Sequence, residues 1–572
     1  MLSETKLFYE VGNQEPNKPR FKIRVKDDWQ TITWGQCLTA ITKIACSLSE
    51  IGVGLETKVA IFAKNQVEWS YFDVALHATR SILVPIYPSS TPEQVKYIIS
   101  HSDAEIIVTE LERLPVLFKI WSELPLIKQV IVIDLTDKSQ LFQLNESLNS
   151  KLTNIEINQK FIALSTIYQH TTPNDLQPFI EKIDPNEISA IFYTSGTTGN
   201  PKGVVLTRYN LQTNSEDWIE VLSNLMPTVR IDLLWLPMSH IFGWGEMGLG
   251  NTLGFTTYLT TNLEVLNHMP LIKPTIFMSV PAYWEKLYLT ARTFSNQKTA
   301  QIDKLHEITG KQLQFCLSGG AGLKQEVKDF FYEAGLLIIE GYGLTECSPT
   351  LTMNRKQDFD FDTVGKPFPQ VQLKLATDSE ILVKGPNVFS EYYKDPQSTK
   401  DSFDENGWLK TGDIGTFTKK GFLKIKGRKK EIIVTSGGKN ISPQLIETKF
   451  KDDPYIEHIV LYGNERKYLI ALVTLKEENI RHYATEMKIV YKDYAELINL
   501  FQIKELIQQQ INIVNDELAS YETIKKFMIH EGHLTIEAGF LTQSLKLKRN
   551  QVYEMFQQQL DKFYDVETDC HL

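Results

Sequence analysis

"KVAIFAKNQVEWSYFDVALHATRSILVPIYPSSTPEQVKYIISHSDAEIIVT", residues 58–109, alternates apolar runs with segments of helical spacing. "VAIFA" reads as a short β-branched strand, the stretch around Val67 to Thr79 as a helix, and "SILVPIYP" as a second strand. In "TPEQVKYIIS", Thr91 has the character of an N-cap and Pro92 that of a first helical residue, and "AEIIVT" then supplies a third strand. This is βαβαβ with short loops. It predicts an α/β fold whose parallel sheet is covered by helices, with ligands bound beyond the carboxyl ends of the strands.

A second stretch, "YTSGTTGNPKG" at residues 193–203, lies in such a place: "ISAIFYT" reads as a buried strand before it and "RYNLQTNSEDWIEVL" has helical character after it. Gly196, Gly199 and Gly203 let backbone N–H groups approach an anion, Ser195, Thr197 and Thr198 add hydroxyl donors, and Lys202 adds a point charge. A polyphosphate tail requires that combination. The stretch is not a Walker A loop, which has glycine just before its lysine where Pro201 stands here. A flexible linker does not explain a rigid Pro-Lys-Gly followed at once by the strand-like "VVLT".

A chain of 572 residues, 42% hydrophobic and 23% charged, is too long for one compact core and predicts two or more globular domains. Its 70 acidic residues against 60 basic ones give a net charge of -10, which argues against a general nucleic-acid binder and for a small-molecule partner. Cys37, Cys46, Cys316, Cys347 and Cys570 show no CxxC spacing, so neither a zinc site nor a disulfide framework is suggested, and a cytoplasmic setting fits. The N-terminus lacks a basic segment followed by an apolar run, and no stretch reaches the length of a spanning helix. "LPVLFKIWSELPLIKQVIVIDL", from Leu114, is broken by prolines and charges and reads as buried α/β structure.

The C-terminal part has a different texture. From Gly427 a basic turn "KGRKKE" leads to the strand "IIVTS", the loop "GGKNIS" and a helix opened by Ser442 and Pro443. A domain boundary is placed there, dividing residues 1–426 from 427–572. Leu497, Phe501, Ile507, Ile511, Val514 and Leu518 recur at near-helical spacing and predict one long amphipathic helix.

"YTSGTTGNPKGV" resembles the phosphate-binding signature of the adenylate-forming superfamily, enzymes that activate carboxylic acids with ATP. In the family's order follow "PMSHIFGWGEM" from Pro237, "LSGGAGL" from Leu317, "GYGLTECSP" from Gly341, "TGD" from Thr411, "GRKKEIIVTSGGKNISPQLIE" from Gly427 and "LTQSLKLKR" from Leu541. The last two, with "ASYETIKKFMI" from Ala519, are most similar to long-chain fatty acyl-CoA synthetases. The resemblance implies a large N-terminal α/β domain and a smaller, mobile α+β C-terminal domain. It also implies two half-reactions: ATP and a carboxylate give acyl-adenylate and pyrophosphate, then the thiol of coenzyme A displaces AMP.

By the same resemblance Lys546 is the catalytic lysine, Glu346 binds Mg²⁺ with Thr197 beside it, and Thr345 touches the α-phosphate. The phosphate grip spans Thr194, Ser195, Gly196, Thr197, Thr198, Gly199 and Lys202. Asp413 and Arg428 take the ribose, Tyr342 with Gly343 stacks on adenine, and Gly319, Gly320 and Ala321 form the opposite wall. His240 lines the carboxylate pocket and Trp244 gates a fatty-acid tunnel. Lys430 is the hinge, and Gly437 and Gly438 line the pantetheine tunnel. Two positions depart from the wider family: Leu545 precedes the lysine where glycine is common, as in the long-chain subgroup, and Glu431 stands where aspartate is common. Lys548 competes with Lys546 for the catalytic assignment. A long-chain fatty acid, ATP and coenzyme A are the implied partners, with peripheral membrane contact and a homodimer left open. An acyl-AMP ligase serving a carrier protein, or a silent acyl-adenylate or nucleotide binder, remain alternatives.

Overall fold

A computed structural model of the protein describes residues 4–565 except 151, 170–174, 195–199, 223–224, 438, 536–537 and 542–546. The opening stretch forms the strands Lys58–Phe62, Ile82–Pro85 and Ile106–Thr109, separated by the helices Val67–Ala78 and Pro92–Ser102. The second helix starts at Thr91 because a capping box closes there: the Thr91 hydroxyl accepts from the Gln94 N–H while the Gln94 side chain accepts from the Thr91 N–H.

These strands are parallel, with Ile61 opposite Pro85 on one side and Val108 on the other. They form the middle of a seven-stranded sheet ordered Phe161–Ala163, Gln129–Val132, Ile106–Thr109, Lys58–Phe62, Ile82–Pro85, Ile188–Thr194, Lys202–Thr207. Its last pair is antiparallel and sets Thr194 opposite Lys202, so the glycine-rich stretch connects the two strands of a hairpin at the sheet edge. The stretch from Leu114 becomes the helix Leu114–Ile120 and the strand Gln129–Val132, both largely buried, as an α/β reading requires.

A second, nine-stranded sheet carries a parallel centre of Thr256–Leu259, Ile231–Leu234, Ile276–Ser279, Phe315–Ser318 and Ile338–Gly343. One hydrophobic core joins the two sheets, packing Ile61, Phe192 and Val204 of the first with Leu233, Phe277 and Met278 of the second. A four-stranded antiparallel sheet follows, Gln372–Leu375, Glu380–Lys384, Leu409–Phe417 and Leu423–Arg428. Its last strand runs across the position between residues 426 and 427.

The smaller C-terminal domain is built on Ile456–Tyr462, Leu469–Leu475 and Ile524–His530. Every residue of the central strand is buried, because one face packs on Ile503, Ile507 and Ile511 and the other on Val552, Phe556 and Leu560. One expectation changes here. The long helix is two, Tyr494–Asn499 and Phe501–Asn515, joined by an extended Leu500. The buried positions explain it: Ile498 is followed by Ile503, five residues on, so one continuous helix would turn its apolar stripe away from the core. Leu500 resets the phase, leaving Phe501 73% exposed and Leu518 beyond the helix. Ser442 does occupy the N-cap of Pro443–Glu447, but its hydroxyl makes no capping bond. Between the large and small parts, Lys324 pairs with Asp452, and Lys451 lies 3.8 Å from Glu285.

Candidate active site

A cavity of about 1940 Å³ lies at the carboxyl ends of Ile188–Thr194, Phe315–Ser318 and Ile338–Gly343 and reaches small-domain residues such as Gln444, Leu541 and Leu547. Its lining brings together Thr194, Lys202, His240, Trp244, Gly319, Gly320, Ala321, Tyr342, Gly343, Thr345, Glu346, Asp413, Arg428 and Lys430. Gly437 is not in the lining; it sits in the turn between the short strands Ile433–Val434 and Asn440–Ile441. Ser195, Gly196, Thr197, Thr198, Gly199, Gly438 and Lys546 lie outside the described residues. Leu541 and Leu547, which flank the segment containing Lys546, face each other in an antiparallel bridge, and both line the cavity with Lys548.

Asp413 is the centre of a hydrogen-bonded corner. Strand pairing places it opposite Arg428, whose Nε lies 3.1 Å from its Oδ1, while the Tyr342 hydroxyl donates to its Oδ2 at 2.6 Å. The Thr411 hydroxyl accepts from the Asp413 N–H, and Arg428 donates to the Thr411 carbonyl. Burial, then the neighbouring carboxylate, pushes the Tyr342 phenol well above its ordinary range, so it stays a donor. Burial opposes the charge on Arg428, but Asp413, Tyr342, Glu346 and Glu431 together outweigh it and the guanidinium's pKa is raised. Strand pairing and these bonds thus hold arginine, tyrosine and carboxylate in one geometry.

The backbone beside this corner requires small residues. A Cβ on Gly343 would lie 2.0 Å from the Pro349 carbonyl oxygen, so only glycine permits the turn that presents Thr345 and Glu346. Gly320 takes φ +85° just past the strand Phe315–Ser318, a conformation that side chains disfavour, and with Gly319 and Ala321 it leaves a flat wall.

Tyr392, which no sequence motif singled out, ties the anionic and cationic groups together. Its hydroxyl donates to Glu346 Oε1 at 2.8 Å, and Lys202 Nζ lies 5.0 Å over its ring. Burial and the charge of Glu346 raise the phenol's pKa and keep it a donor. The contacts join positions 46 and 190 residues apart, so nothing local in the sequence announces them.

On the other side, His240 is the N-cap of the helix Ile241–Leu253, where its Nδ1 accepts from the Phe242 N–H at 3.1 Å. In a neutral imidazole that bond places the ring proton on Nε2. Trp244 packs on Phe192 with ring centroids 5.1 Å apart, and Gly245, Gly248 and Leu249 continue the same cavity wall.

The donor set suits a magnesium nucleotide. Glu346 offers a hard carboxylate oxygen, and among the described residues no cluster of three metal-ligating side chains competes with it. A single carboxylate completed by phosphate oxygens and water is how Mg²⁺ is usually held. No helix among the described residues is long and apolar enough to cross a membrane.

Comparison with known proteins identifies the family and the fold. The AMP-binding enzyme family matches residues 8–393, and the AMP-binding enzyme C-terminal domain matches residues 430–568. The peroxisomal long chain acyl-CoA synthetase 6 of Arabidopsis thaliana is 30% identical over 94% of this chain and 82% of its own. A long-chain-fatty-acid–CoA ligase of Mycobacterium bovis is 29% identical over 98% of this chain and 97% of its own. Among solved structures, the adenylation domain of a Mycobacterium chelonae carboxylate reductase superposes with a TM-score of 0.80 at 21% identity, over 99% of this chain and 91% of that one. An o-succinylbenzoate coenzyme A synthetase of Bacillus subtilis, solved with ATP and magnesium, gives 0.69 at 20% identity, over 95% and 98%.

Proposed function

The chain belongs to the AMP-binding enzyme family, and from that premise we propose that it is a long-chain fatty acid:CoA ligase. It joins a fatty acid to the α-phosphate of ATP with release of pyrophosphate, then passes the acyl group to the thiol of coenzyme A and releases AMP. The observation that carries this reading is the Asp413–Arg428–Tyr342 corner set beside Glu346 and Lys202 in one cavity.

A carboxylate is a poor electrophile because attack adds charge to a group already anionic, and a mixed anhydride removes that obstacle. Asp413 and Arg428 hold the ribose, Tyr342 and Gly343 lie along one side of the adenine, and Gly319, Gly320 and Ala321 lie along the other. Lys202, with the Thr194 to Gly199 stretch, grips the β- and γ-phosphates and assists the leaving pyrophosphate. Lys546 and Thr345 stabilise charge at the α-phosphate, where cationic and hydroxyl donors act more strongly on the transition state than on the ground state. Bound Mg²⁺ supplies neutralisation of phosphate charge; Glu346 is the residue to hold it, with Thr197 nearby. His240 presents an N–H toward the acyl carboxylate, and Trp244 stands at the entrance of the acyl tunnel.

The small domain, taken as 427–572, turns about Lys430 between the half-reactions, first bringing in Lys546 and then the Gly437–Gly438 loop for the pantetheine arm. A cytoplasmic enzyme that meets its acid at a membrane surface fits this chemistry. Purified protein given ATP, Mg²⁺, coenzyme A and a series of fatty acids should form acyl-CoA and AMP, with highest kcat/KM for long chains. Trp244→Ala should alter the chain-length profile; an unchanged profile removes the gate. Acyl transfer to a carrier protein with no CoA thioester would overturn the choice of acceptor.

A further inference from the structure

We infer that Tyr392 is a positioning residue of the metal and polyphosphate site: its hydroxyl fixes the orientation of the Glu346 carboxylate, and its ring holds Lys202 alongside. The inference rests on the assignment of Glu346 and Lys202 to that site. Three segments distant in sequence build the arrangement. Val204, on the strand that begins at Lys202, bridges to Tyr392, and the Tyr393 N–H donates to the Gly203 carbonyl at 2.7 Å. The Tyr392 N–H donates to the Thr399 hydroxyl, which in turn donates to the Asp395 carbonyl. The Phe389 N–H takes the Glu346 carbonyl at 2.8 Å, so residues 389–392 hold both the backbone and the side chain of Glu346. Tyr392 itself lines the cavity beside both groups.

The geometry divides the two carboxylate oxygens of Glu346. Oε1 accepts the tyrosine hydroxyl, which leaves Oε2 to be aimed at a metal ion by a group that is itself fixed at both backbone and ring. A carboxylate ligand so tethered loses little freedom when it coordinates, and removing such a partner typically weakens metal binding about 10–100-fold. The ring does separate work on Lys202, whose ammonium it keeps from wandering before phosphate arrives.

Tyr392→Phe removes the hydroxyl and keeps the ring, whereas Tyr392→Leu removes both. Calorimetric titration with ATP, once with Mn²⁺ and once with EDTA and no metal, reads the two contributions without any turnover. Tyr392→Phe should bind Mn·ATP about tenfold or more weakly than wild type and metal-free ATP equally well. Tyr392→Leu should lose affinity for both. Equal weakening of both forms in Tyr392→Phe, unchanged Mn·ATP binding in it, or no Mn·ATP binding by the wild type would each overturn the inference. A wild type that binds Mn·ATP yet shows no fatty-acid-dependent pyrophosphate exchange would sink the proposed activity and leave this comparison intact.

Discussion

The nucleotide corner and the seam between the two domains are both made of charged groups, yet they are built differently. In the corner, Asp413 is 5% exposed; pairing of the strands Leu409–Phe417 and Leu423–Arg428 sets it opposite Arg428, and Tyr342 of the strand Ile338–Gly343 donates to it. At the seam, Lys451 faces Glu285 at 3.8 Å, beyond hydrogen-bond distance, and Lys324 pairs with Asp452; in each pair one partner is largely covered and the other, Lys451 or Asp452, is half-exposed. Buried, hydrogen-bonded charges are costly to separate, whereas exposed pairs contribute little. The difference teaches where charge is committed to one geometry: the corner joins its groups through several hydrogen bonds, whereas the seam relies on two ion pairs, and the proposed turn of the small domain would have to break only the latter.

The comparison breaks most visibly if the corner is emptied. Asp413→Ala removes the acceptor of the Tyr342 hydroxyl, the ion-pair partner of Arg428 and the proposed ribose ligand; with two charge-assisted bonds at about 1.5–3 kcal/mol each, kcat/KM for ATP should fall a hundredfold or more. Pyrophosphate-exchange kinetics check it, and a loss below tenfold would show that the corner does not hold the nucleotide.

Next in size is a buried pair inside the small domain. Arg549 makes a bidentate fork to Glu447, both bonds 2.6 Å, and Glu447 also accepts from the Leu461 N–H. Glu447→Ala strands a guanidinium only 6% exposed, so the small domain should lose about 3–5 kcal/mol in urea denaturation. The large domain's transition should stay where it was.

A pH effect of intermediate size belongs to the fixed part. Asp232, fully buried on a central strand beside Glu246, has its carboxyl pushed up to about 6, chiefly by desolvation, and burial raises Glu246 well above its usual range. An acid whose pKa is higher folded than unfolded stabilises the fold where it is protonated. That contribution is full below about pH 4, the unfolded value, and is lost as the pH rises through 6. Urea midpoints of the wild type should therefore fall over this window more than those of Asp232→Asn. Parallel curves would mean that Asp232 does not titrate there.

The smallest effect is expected at the seam. Asp452→Lys sets like charges opposite Lys324, and the thermal transition should shift by less than about 1 kcal/mol equivalent, diminishing further in high salt. A large, salt-independent loss would place the seam with the corner as a rigid contact.

How much of this was legible in the sequence follows from the range of the interactions. The βαβαβ stretch at 58–109 was readable because strand period, helix period and the Thr91 capping box are all local, and each agreed with the next. Strand order was not readable, since nothing within Lys58–Phe62 says that it lies between Ile82–Pro85 and Ile106–Thr109. The break at Leu500 was written in the buried phase, five residues from Ile498 to Ile503, but Phe501 disguised it by supplying an apolar residue at the expected place. Most candidate site residues came from motifs that supply backbone shape, and the cavity gathers them. Tyr392 escaped because its role depends on partners far away in the chain, and a lone tyrosine near Pro396 carries no signal of them. Gly437 was placed by resemblance alone, and it is not among the residues that line the cavity.

Under the proposed function Lys202 serves the departing pyrophosphate, so it belongs to the first half-reaction and not to thioester formation. Lys202→Ala measured in the two half-reactions tests it most directly. Fatty-acid-dependent pyrophosphate exchange should fall about a hundredfold or more, and CoA thioester formation from preformed acyl-AMP should remain near the wild-type rate. Equal loss in both half-reactions would contradict the claim.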